Sequence, residues 1–473
     1  MRKLSLILSS ALLAFSSSAV RADVVGMKTT KPVGETLTLA LNADLSATIT
    51  WGNNKVGETL VFDGNPVELE IKSDSLTITS VSGEITRLYV PSAGLVSLNT
   101  SGAPSLSKLM CSGNSLTSLS LTRNTMLTEL DCSDNKLTEL ALNSNRSLEE
   151  VNCSGNELAG LSYGAAGITS LHTLICSGNS IDTLRYQTNL ISLRNLWAAG
   201  NSLRVLNLSR ASQLRSVVVP GNALTKLDFP SSSVFTDLWA EHNRLSEVDL
   251  SGVVASLRAV SLNDNALSTI TWTNRAANLT DFYAHENRLF FSSFPLLTGT
   301  DIHYSLMPQS PYPLAVEFII GERYNLKNQL SVNGYGTAPV GLQLKLHNAA
   351  GDELVKNVNG DYVLTNGNWT FKTEQPGAYI TAEASYAYPG LSLRTAPFNV
   401  VLTSGIASAP SADALAVSTA SGSLSVTASA PVTVTVVSAS GVTVARERVG
   451  AGTRTWHLPA GLYVVNGHKA LVK

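Results

Sequence analysis

The sequence predicts a solenoid whose short strands form a curved parallel β-sheet, mostly β with irregular returns, flanked by all-β domains. Three observations predict this fold class: one Asn recurs at a nearly constant interval, apolar residues keep fixed positions around it, and the flanking segments alternate apolar and polar residues. The interval is 21 to 23 residues, which is typical of arrays in which each unit packs only on its neighbours. The nine repeat asparagines are Asn114, Asn135, Asn156, Asn179, Asn201, Asn222, Asn243, Asn265 and Asn287.

The repeat frame is clearest around Asn135. It matches the leucine-rich repeat pattern L-x-x-L-x-L-x-x-N-x-L. Each repeat can make one short strand and one return, and it buries its apolar edge only by stacking on the next repeat at ~4.8 Å. We expect the Asn side chain to turn inward and hydrogen-bond the backbone groups freed where the strand ends. Degenerate copies around Leu88 and Leu69 are interpreted as atypical first repeats. The frame positions around Asn135 are Leu127, Leu130, Cys132, Leu137, Leu140 and Leu142.

The cysteines share one slot of this frame, three residues before the Asn. Cys111, Cys132, Cys153 and Cys176 fill it first, and small or apolar residues fill it in the later repeats. The pattern predicts a ladder of buried free thiols. Disulfides are the alternative, because neighbouring strands bring the Cα atoms within bridging range, although parallel side chains disfavour the torsion. Four collinear thiols cannot surround one zinc ion tetrahedrally.

The repeats carry a resemblance to a known family. Residues 68–300 resemble bacterial leucine-rich repeat surface proteins of the internalin class, and the repeat L-x-x-L-x-C-S-x-N-x-L-T-x-L is similar to that of the internalin J type. The resemblance implies a surface-exposed binding protein and leaves the ligand unspecified, because this fold hosts many ligands.

The N-terminus indicates export. Residues 1–22 begin with Arg2 and Lys3, continue with an apolar stretch and end in short residues, as a cleaved signal peptide does. No later stretch resembles a membrane-spanning helix. We therefore predict a secreted or outer cell-surface protein without a transmembrane segment.

All-β segments flank the repeats. Residues 23–67 alternate apolar and polar residues and are predicted to form an N-terminal β cap on the solenoid at 68–300. Residues 315–402 predict a β-sandwich of the immunoglobulin-like type, and the Ser-, Ala- and Pro-rich segment 403–411 predicts a linker.

Residues 412–473 predict a compact β module. Gly461, Tyr463 and Val465 form a G-x-Y-x-V stretch, and Lys473 ends the chain. The module resembles the C-terminal sorting domain of the type IX secretion system, which implies that the secretion machinery is a partner and that these four residues belong to a sorting signal. An ordinary final β domain is the alternative.

Composition and motifs argue against other functions. The 473 residues include 33 Lys and Arg against 35 Asp and Glu, with a formal net charge of −2 and no basic run, so nucleic acid is not an expected partner. The sequence contains no H-E-x-x-H motif and no phosphate-binding loop. His242 and His285 lie two repeats apart, ~10 Å by strand spacing, too far for one metal ion. We expect both to be solvated, and we expect no enzyme activity and no cofactor.

The candidate site lies on the exposed side of the strands. Because side chains alternate along a strand, the residue four before each Asn points away from the core. This column includes Trp197, Val218, Trp239 and Tyr283, and Asp237 and Asp281 lie two residues earlier in two of the repeats. Exposed aromatic residues beside charge are typical of recognition surfaces; alternatively they stack on each other or meet a flanking domain.

The sequence thus predicts a non-enzymatic surface protein that binds a protein or glycan ligand through its concave face. Adhesion to host cells or other bacteria is the expected role. A structural, self-associating biofilm component is the alternative, and a secreted hydrolase is a third possibility for which we find no catalytic constellation.

Overall fold

The structure is a computed structural model that describes the chain from residue 22 to residue 472 with gaps. The described ranges are 22–53, 57–164, 167–184, 190–232, 234–271, 276–294, 302–332, 342–402, 415–420, 422–428, 432–438, 443–465 and 468–472. Most of the predicted signal peptide, the whole predicted linker 403–411 and Lys473 lie outside them. The chain divides into two compact units, 1–400 and 401–473.

Nearly all regular structure is β. In the described ranges the one helical segment with bounds is a 3-10 turn at Phe291–Ser293, and no helix there is long and apolar enough to cross a bilayer. The predicted scarcity of helices is therefore confirmed.

The first strands build the N-terminal cap. A five-stranded antiparallel sheet has the order β4-β3-β6-β1-β8, and its inner face buries Val25, Ile49, Phe62 and Ile78. Because β6 belongs to this sheet, the cap continues past residue 67. Leu69 lies in β5, which pairs antiparallel with β2, so the segment around it is not a repeat. The strands are β1 Val24–Thr29, β2 Thr36–Leu41, β3 Leu45–Trp51, β4 Glu58–Phe62, β5 Val67–Glu70, β6 Ser75–Ser82, β7 Arg87–Tyr89 and β8 Leu95–Gly102.

The repeats form the predicted leucine-rich repeat solenoid. Its sheet runs in parallel register from β7 to β22, and the cap strand β2 pairs antiparallel with β7 at the other end. The strands of this sheet are β9 Lys108–Met110, β10 Glu129–Asp131, β11 Glu150–Asn152, β12 Thr173–Ile175, β13 Asn195–Trp197, β15 Ser216–Val218, β17 Asp237–Trp239, β19 Ala259–Ser261, β21 Asp281–Tyr283 and β22 His303–Ser305. The returns carry β14 Val205–Asn207, β16 Lys226–Asp228, β18 Glu247–Asp249 and β20 Thr269–Thr271, which form two pairs, β14 with β16 and β18 with β20.

The repeat asparagines form the predicted ladder. Asn135 shows the geometry: its Nδ2 donates to the carbonyl oxygens of Cys111 and Cys132 at 3.1 Å each, and its Oδ1 accepts from the N–H of Leu116 at 3.0 Å. One side chain therefore joins its own coil to the preceding coil at the point where the strand ends, which satisfies backbone groups that the short strands leave free.

The ladder continues one coil beyond the predicted boundary at residue 300. Strand β22 pairs in parallel with β21, and Gln309 lies 22 residues after Asn287. Its Oε1 accepts from the N–H of Leu289 at 2.8 Å, and its Nε2 donates to the carbonyl oxygen of Ala284 at 2.7 Å. Gln309 thus takes the role of the Asn in the last coil, which a search for Asn alone misses.

The four cysteines are free and fully buried, which confirms the thiol ladder and excludes the disulfide alternative. Burial raises the pKa of the Cys132 and Cys176 thiols to about 12, because an apolar interior disfavours the charged thiolate.

A two-layer β-sandwich follows the solenoid within the same compact unit. One sheet has the order β23-β30-β28-β25 with β29 on β28, and the other has the order β24-β27-β26. Phe318 lies in the core between Phe371 and Phe398, with ring centroids 5.1 and 4.9 Å away. The strands are β23 Glu317–Ile319, β24 Arg323–Asn325, β25 Leu342–His347, β26 Tyr362–Thr365, β27 Asn368–Phe371, β28 Gln375–Ala384, β29 Ser392–Arg394 and β30 Phe398–Val401.

Aromatic rings join the last coil to the sandwich. Phe291 and Phe294 of the solenoid end contact Tyr388 of the sandwich, with ring centroids 5.4 and 5.5 Å away, and Phe290 contacts Tyr312 at 5.4 Å. All five rings are buried, so the apolar end of the solenoid is covered by the sandwich.

The C-terminal unit is a small β module with its own core. Its described strands form two antiparallel sheets, β31-β32-β35 and β34-β33-β36-β37. Leu424, Val434 and Val472 are among its buried residues. The strands are β31 Leu415–Ala420, β32 Ser423–Ala428, β33 Val432–Ser438, β34 Thr443–Val449, β35 Gly452–His457, β36 Gly461–Val465 and β37 His468–Val472.

Candidate functional site

The candidate site is the concave patch, which we define as Trp197, Val218, Trp239, Tyr283, Asp237 and Asp281 on the parallel sheet of the solenoid. Each strand here has three residues, and the middle one is buried, as Leu196 and Leu238 are. Its two neighbours therefore point out of the sheet. Parallel register aligns the outward residues of successive coils in columns.

The tryptophans are the most exposed members of the concave patch. Trp197 is 45% exposed and Trp239 is 36% exposed, whereas the other four members are half-buried. No ring contact joins Trp197, Trp239 or Tyr283 to another aromatic ring among the described residues. The two tryptophans thus present aromatic area to solvent, and stacking between patch rings does not account for them.

One member of the same column departs from the expected exposure. Ser261 lies between Trp239 and Tyr283 on the neighbouring strands and is only 3% exposed. Its hydroxyl donates to Asn263 Oδ1 at 2.7 Å. The small side chain is enclosed because both of its neighbours in the column are large.

The two aspartates are held in place by their neighbours. The Thr236 hydroxyl donates to Asp237 Oδ2 at 2.6 Å, and the Thr280 hydroxyl donates to Asp281 Oδ2 at 2.7 Å. The Tyr283 hydroxyl lies 3.3 Å from Asp281 Oδ1. Desolvation, followed by the charge of Asp281, raises the pKa of the Tyr283 hydroxyl. His303 Nδ1 also lies 3.4 Å from Asp281 Oδ1. The half-buried carboxylates are therefore held in fixed orientations.

Three arginines flank the patch, and sequence reasoning missed them. Arg194, Arg215 and Arg258 occupy the position seven residues before the repeat Asn and are exposed. Within the described ranges none of them has an ion-pair partner within 4.0 Å. The recurrence of arginine at one position of the repeat is the sequence pattern that could have identified them. The patch and the arginines beside it in the sequence thus supply aromatic faces, carboxylates and guanidinium groups.

Charged residues also lie in the turns that follow the strands of the last coils, which we call the turn edge. His242 Nδ1 and Asp264 Oδ2 are hydrogen-bonded on adjacent coils. This hydrogen bond, assisted by the charges of Asp264, Glu241 and Glu286, raises the pKa of His242. His242 is exposed as expected, although its pairing was not predicted.

The expectation for His285 was wrong. This residue is half-buried, and its Nδ1 atom has no hydrogen-bond partner among the described residues. The described part of the chain holds no group of three or more His, Cys, Asp or Glu residues that could bind a metal ion.

The residues of the predicted sorting signal lie in the C-terminal module. Tyr463 and Val465 are buried at 6% and 0% exposure, and Gly461 is half-buried. The Tyr463 hydroxyl donates to the carbonyl oxygen of Pro459 at 3.0 Å. Tyr463 and Val465 therefore contribute to the core of the module, and Lys473 lies outside the described residues.

No protein-family model and no curated protein matches the chain. Solved structures do match. YopM, a leucine-rich effector protein from Yersinia pestis, is 26% identical, with 42% of this chain and 54% of that chain covered and a TM-score of 0.36. A leucine-rich repeat protein from Leptospira interrogans is 19% identical, with 44% and 62% covered and a TM-score of 0.37.

The functional domain of InlJ from Listeria monocytogenes, described as including a cysteine ladder, is 15% identical. The match covers 70% of this chain and 94% of that chain, with a TM-score of 0.33. The chain thus spans 54% and 62% of the length of the first two structures.

Proposed function

We propose that this chain is a non-enzymatic cell-surface or secreted leucine-rich repeat protein that binds a protein or glycan ligand through the concave patch. The observation that carries the proposal is the exposure of Trp197 and Trp239, at 45% and 36%, on a sheet whose backbone is fixed by the Asn ladder. Tryptophan buries a large area on binding and loses little conformational entropy.

Preorganisation supports the same proposal. The hydrogen bonds from Thr236 and Thr280 already orient the two carboxylates, and Asn222 and Asn243 bond the coils that carry the patch to each other. A ligand therefore does not have to order the groups that contact it, which is the main cost of association after lost translation and rotation. Both protein and glycan ligands can use aromatic faces rimmed by carboxylates and guanidinium groups.

The binding test uses full-length protein in which Trp197 and Trp239 are both replaced by Ala. Binding to host cells and to bacterial cells should fall by ~30-fold, because two hot-spot contacts contribute ~2 kcal/mol or more together. The thermal midpoint should stay nearly unchanged, because both side chains are exposed.

The matched control replaces Met126 and Val205 by Ala, since both are exposed apolar residues, at 60% and 45%, that lie off the concave patch. Equal binding by the tryptophan variant and the control would contradict the proposal. Loss of self-association of the purified protein in the tryptophan variant would instead assign the patch to contacts between copies, as a structural biofilm component requires.

The proposed site of action is the outer cell surface or the medium, and the proposed role there is adhesion to host cells or other bacteria. Export would use the signal peptide at 1–22, and sorting by the type IX secretion machinery would use the module with Gly461, Tyr463, Val465 and Lys473. Deletion of residues 404–473 should then leave the protein in the periplasm. Unimpaired surface display of the truncated chain would overturn the sorting proposal.

A further inference from the structure

A second concave site lies apart from the concave patch, where the returns of the last coils meet the sandwich. We call it the junction cleft. It has a volume of about 450 Å³, which falls within the ~300–1,000 Å³ of small-molecule sites. Its lining residues are Thr269, Ser292, Ser293, Tyr312, Asn325, Asn328 and Gln329.

Both walls of the junction cleft are fixed. The Ser292 hydroxyl of the solenoid end donates to the backbone carbonyl oxygen of Gln329 at 3.1 Å. Tyr312 is held by two backbone bonds to the sandwich, from its N–H to the carbonyl oxygen of Arg394 at 2.9 Å and from the N–H of Ala396 to its own carbonyl oxygen at 2.7 Å. Its ring packs on Phe290. The cleft is therefore preformed, as binding sites at junctions between domains usually are.

The lining contains hydrogen-bonding groups but no charge. The seven lining residues carry four hydroxyl groups and three carboxamide groups and include no Asp, Glu, Lys or Arg. The hydroxyls of Ser292 and Ser293 donate to the backbone carbonyl oxygens of Gln329 and Ser268 and keep their acceptor capacity. A phosphate, a carboxylate or a metal cation would lose hydration there and meet no opposite charge, which costs free energy. Hydroxyl and carboxamide groups both donate and accept hydrogen bonds, so they match a ligand whose own polar groups also donate and accept.

We propose that the junction cleft binds a neutral saccharide unit. A sugar ring carries hydroxyl groups that donate and accept around its whole rim, as the Asn, Gln, Ser and Thr side chains of the cleft do. Tyr312 lines the cleft with the 9% of its surface that stays exposed, while its ring packs on Phe290. The exposed carboxamides of Asn325, Asn328 and Gln329 form the mouth.

This site does not rest on the proposed function of the concave patch. The lining residues come from the returns, the 3-10 turn and the sandwich, and none of them belongs to the concave sheet. A protein ligand on the concave patch and a saccharide in the junction cleft could be bound by the same molecule.

The test titrates the full-length protein with glucose, galactose, mannose and N-acetylglucosamine, followed by saturation-transfer NMR and calorimetry. Glucuronic acid and glucose 6-phosphate serve as charged probes of the same size. At least one neutral sugar should saturate with a Kd of ~1 mM or tighter, and the charged analogue of a bound sugar should bind at least ~10-fold more weakly, because the cleft offers no counter-charge.

The variant N328A/Q329A removes two exposed carboxamides and keeps the backbone carbonyl oxygen of Gln329 that accepts from Ser292. It should bind the sugar at least ~10-fold more weakly at an unchanged thermal midpoint, since two hydrogen bonds are lost. The variant W197A/W239A should retain sugar binding, which separates this proposal from that of the concave patch. No saturation by any neutral sugar, equal affinity for the charged sugars, or unchanged affinity in N328A/Q329A would each overturn the proposal.

Discussion

Replacement of Asn135 by Ala tests whether the Asn ladder holds the coils together. The side chain is 7% exposed and makes four hydrogen bonds. Its three acceptors each keep a second donor: Asn114 for Cys111, Asn156 for Cys132 and the N–H of Gly113 for Ser133. The buried N–H of Leu116 alone is left without its partner.

The magnitude follows from this count. One buried donor without a partner costs about 1–3 kcal/mol, and three acceptors that lose one of two donors cost about 0.5 kcal/mol each or somewhat more. The free energy of unfolding should therefore fall by about 3–5 kcal/mol. The control is Asn143→Ala, in the same coil, because Asn143 is exposed and its side chain accepts one hydrogen bond, from Ser162; it should cost about 1 kcal/mol or less.

Urea unfolding followed by circular dichroism measures the loss, and hydrogen exchange at the amide of Leu116 localises it. The double variant with Asn156→Ala adds a sharper test, since the Cys132 carbonyl oxygen then loses both donors. Its cost should exceed the sum of the single costs by about 1 kcal/mol, as expected for coupled neighbours. An Asn135→Ala loss no larger than that of Asn143→Ala would refute the reasoning.

Two further predictions concern the thiols and the turn edge. Burial keeps Cys132 and Cys176 protonated to about pH 12 in the folded chain, whereas in the unfolded chain they ionise near 9.0, so the folded state binds more protons between these values. The contribution of these thiols to stability should be constant below pH 9 and fall above it by about 1.4 kcal/mol per pH unit per thiol. A thiol reagent at neutral pH should label them only after unfolding; fast labelling of the native protein would contradict this. Glu286 has φ +56 at a position where five of the eight earlier coils have Gly. Glu286→Gly should therefore raise stability by about 0.5–1 kcal/mol in thermal unfolding, whereas Glu286→Ala, which keeps the Cβ atom, should not.

The repeats were predictable because each coil needs the same types of residue at the same positions, so these types recur at a fixed interval in the sequence. A buried Asn that must bond two coils allows few substitutes, and an interior slot such as that of Cys132 accepts only small or apolar side chains. The sequence therefore located the ladder, the thiols and the outward columns with Trp197 and Trp239. The prediction ended one coil too early because the last coil has a different residue type at the Asn position. Gln309 makes the same bonds there with a longer side chain.

Features that depend on distant contacts could not be predicted. Strand β6 alternates like any strand, and only its pairing with β1 and β3 assigns it to the cap. The pairing of His242 with Asp264 needs a left-handed backbone at both residues, where glycine is the usual choice. The junction cleft brings together Thr269 and Gln329, which lie sixty residues apart in the chain, so no local sequence pattern predicts it.

The Asn ladder has a consequence for how such a chain can change length. The same bonds recur from coil to coil: Asn222 bonds the Ala198 and Val219 carbonyls as Asn135 bonds those of Cys111 and Cys132. Any coil can therefore follow any other, and duplication or loss of a whole unit of 21 to 23 residues leaves every remaining joint intact. Recombination can therefore change the length of the solenoid by ~5 Å per unit, without altering the cap or the sandwich that closes the two ends.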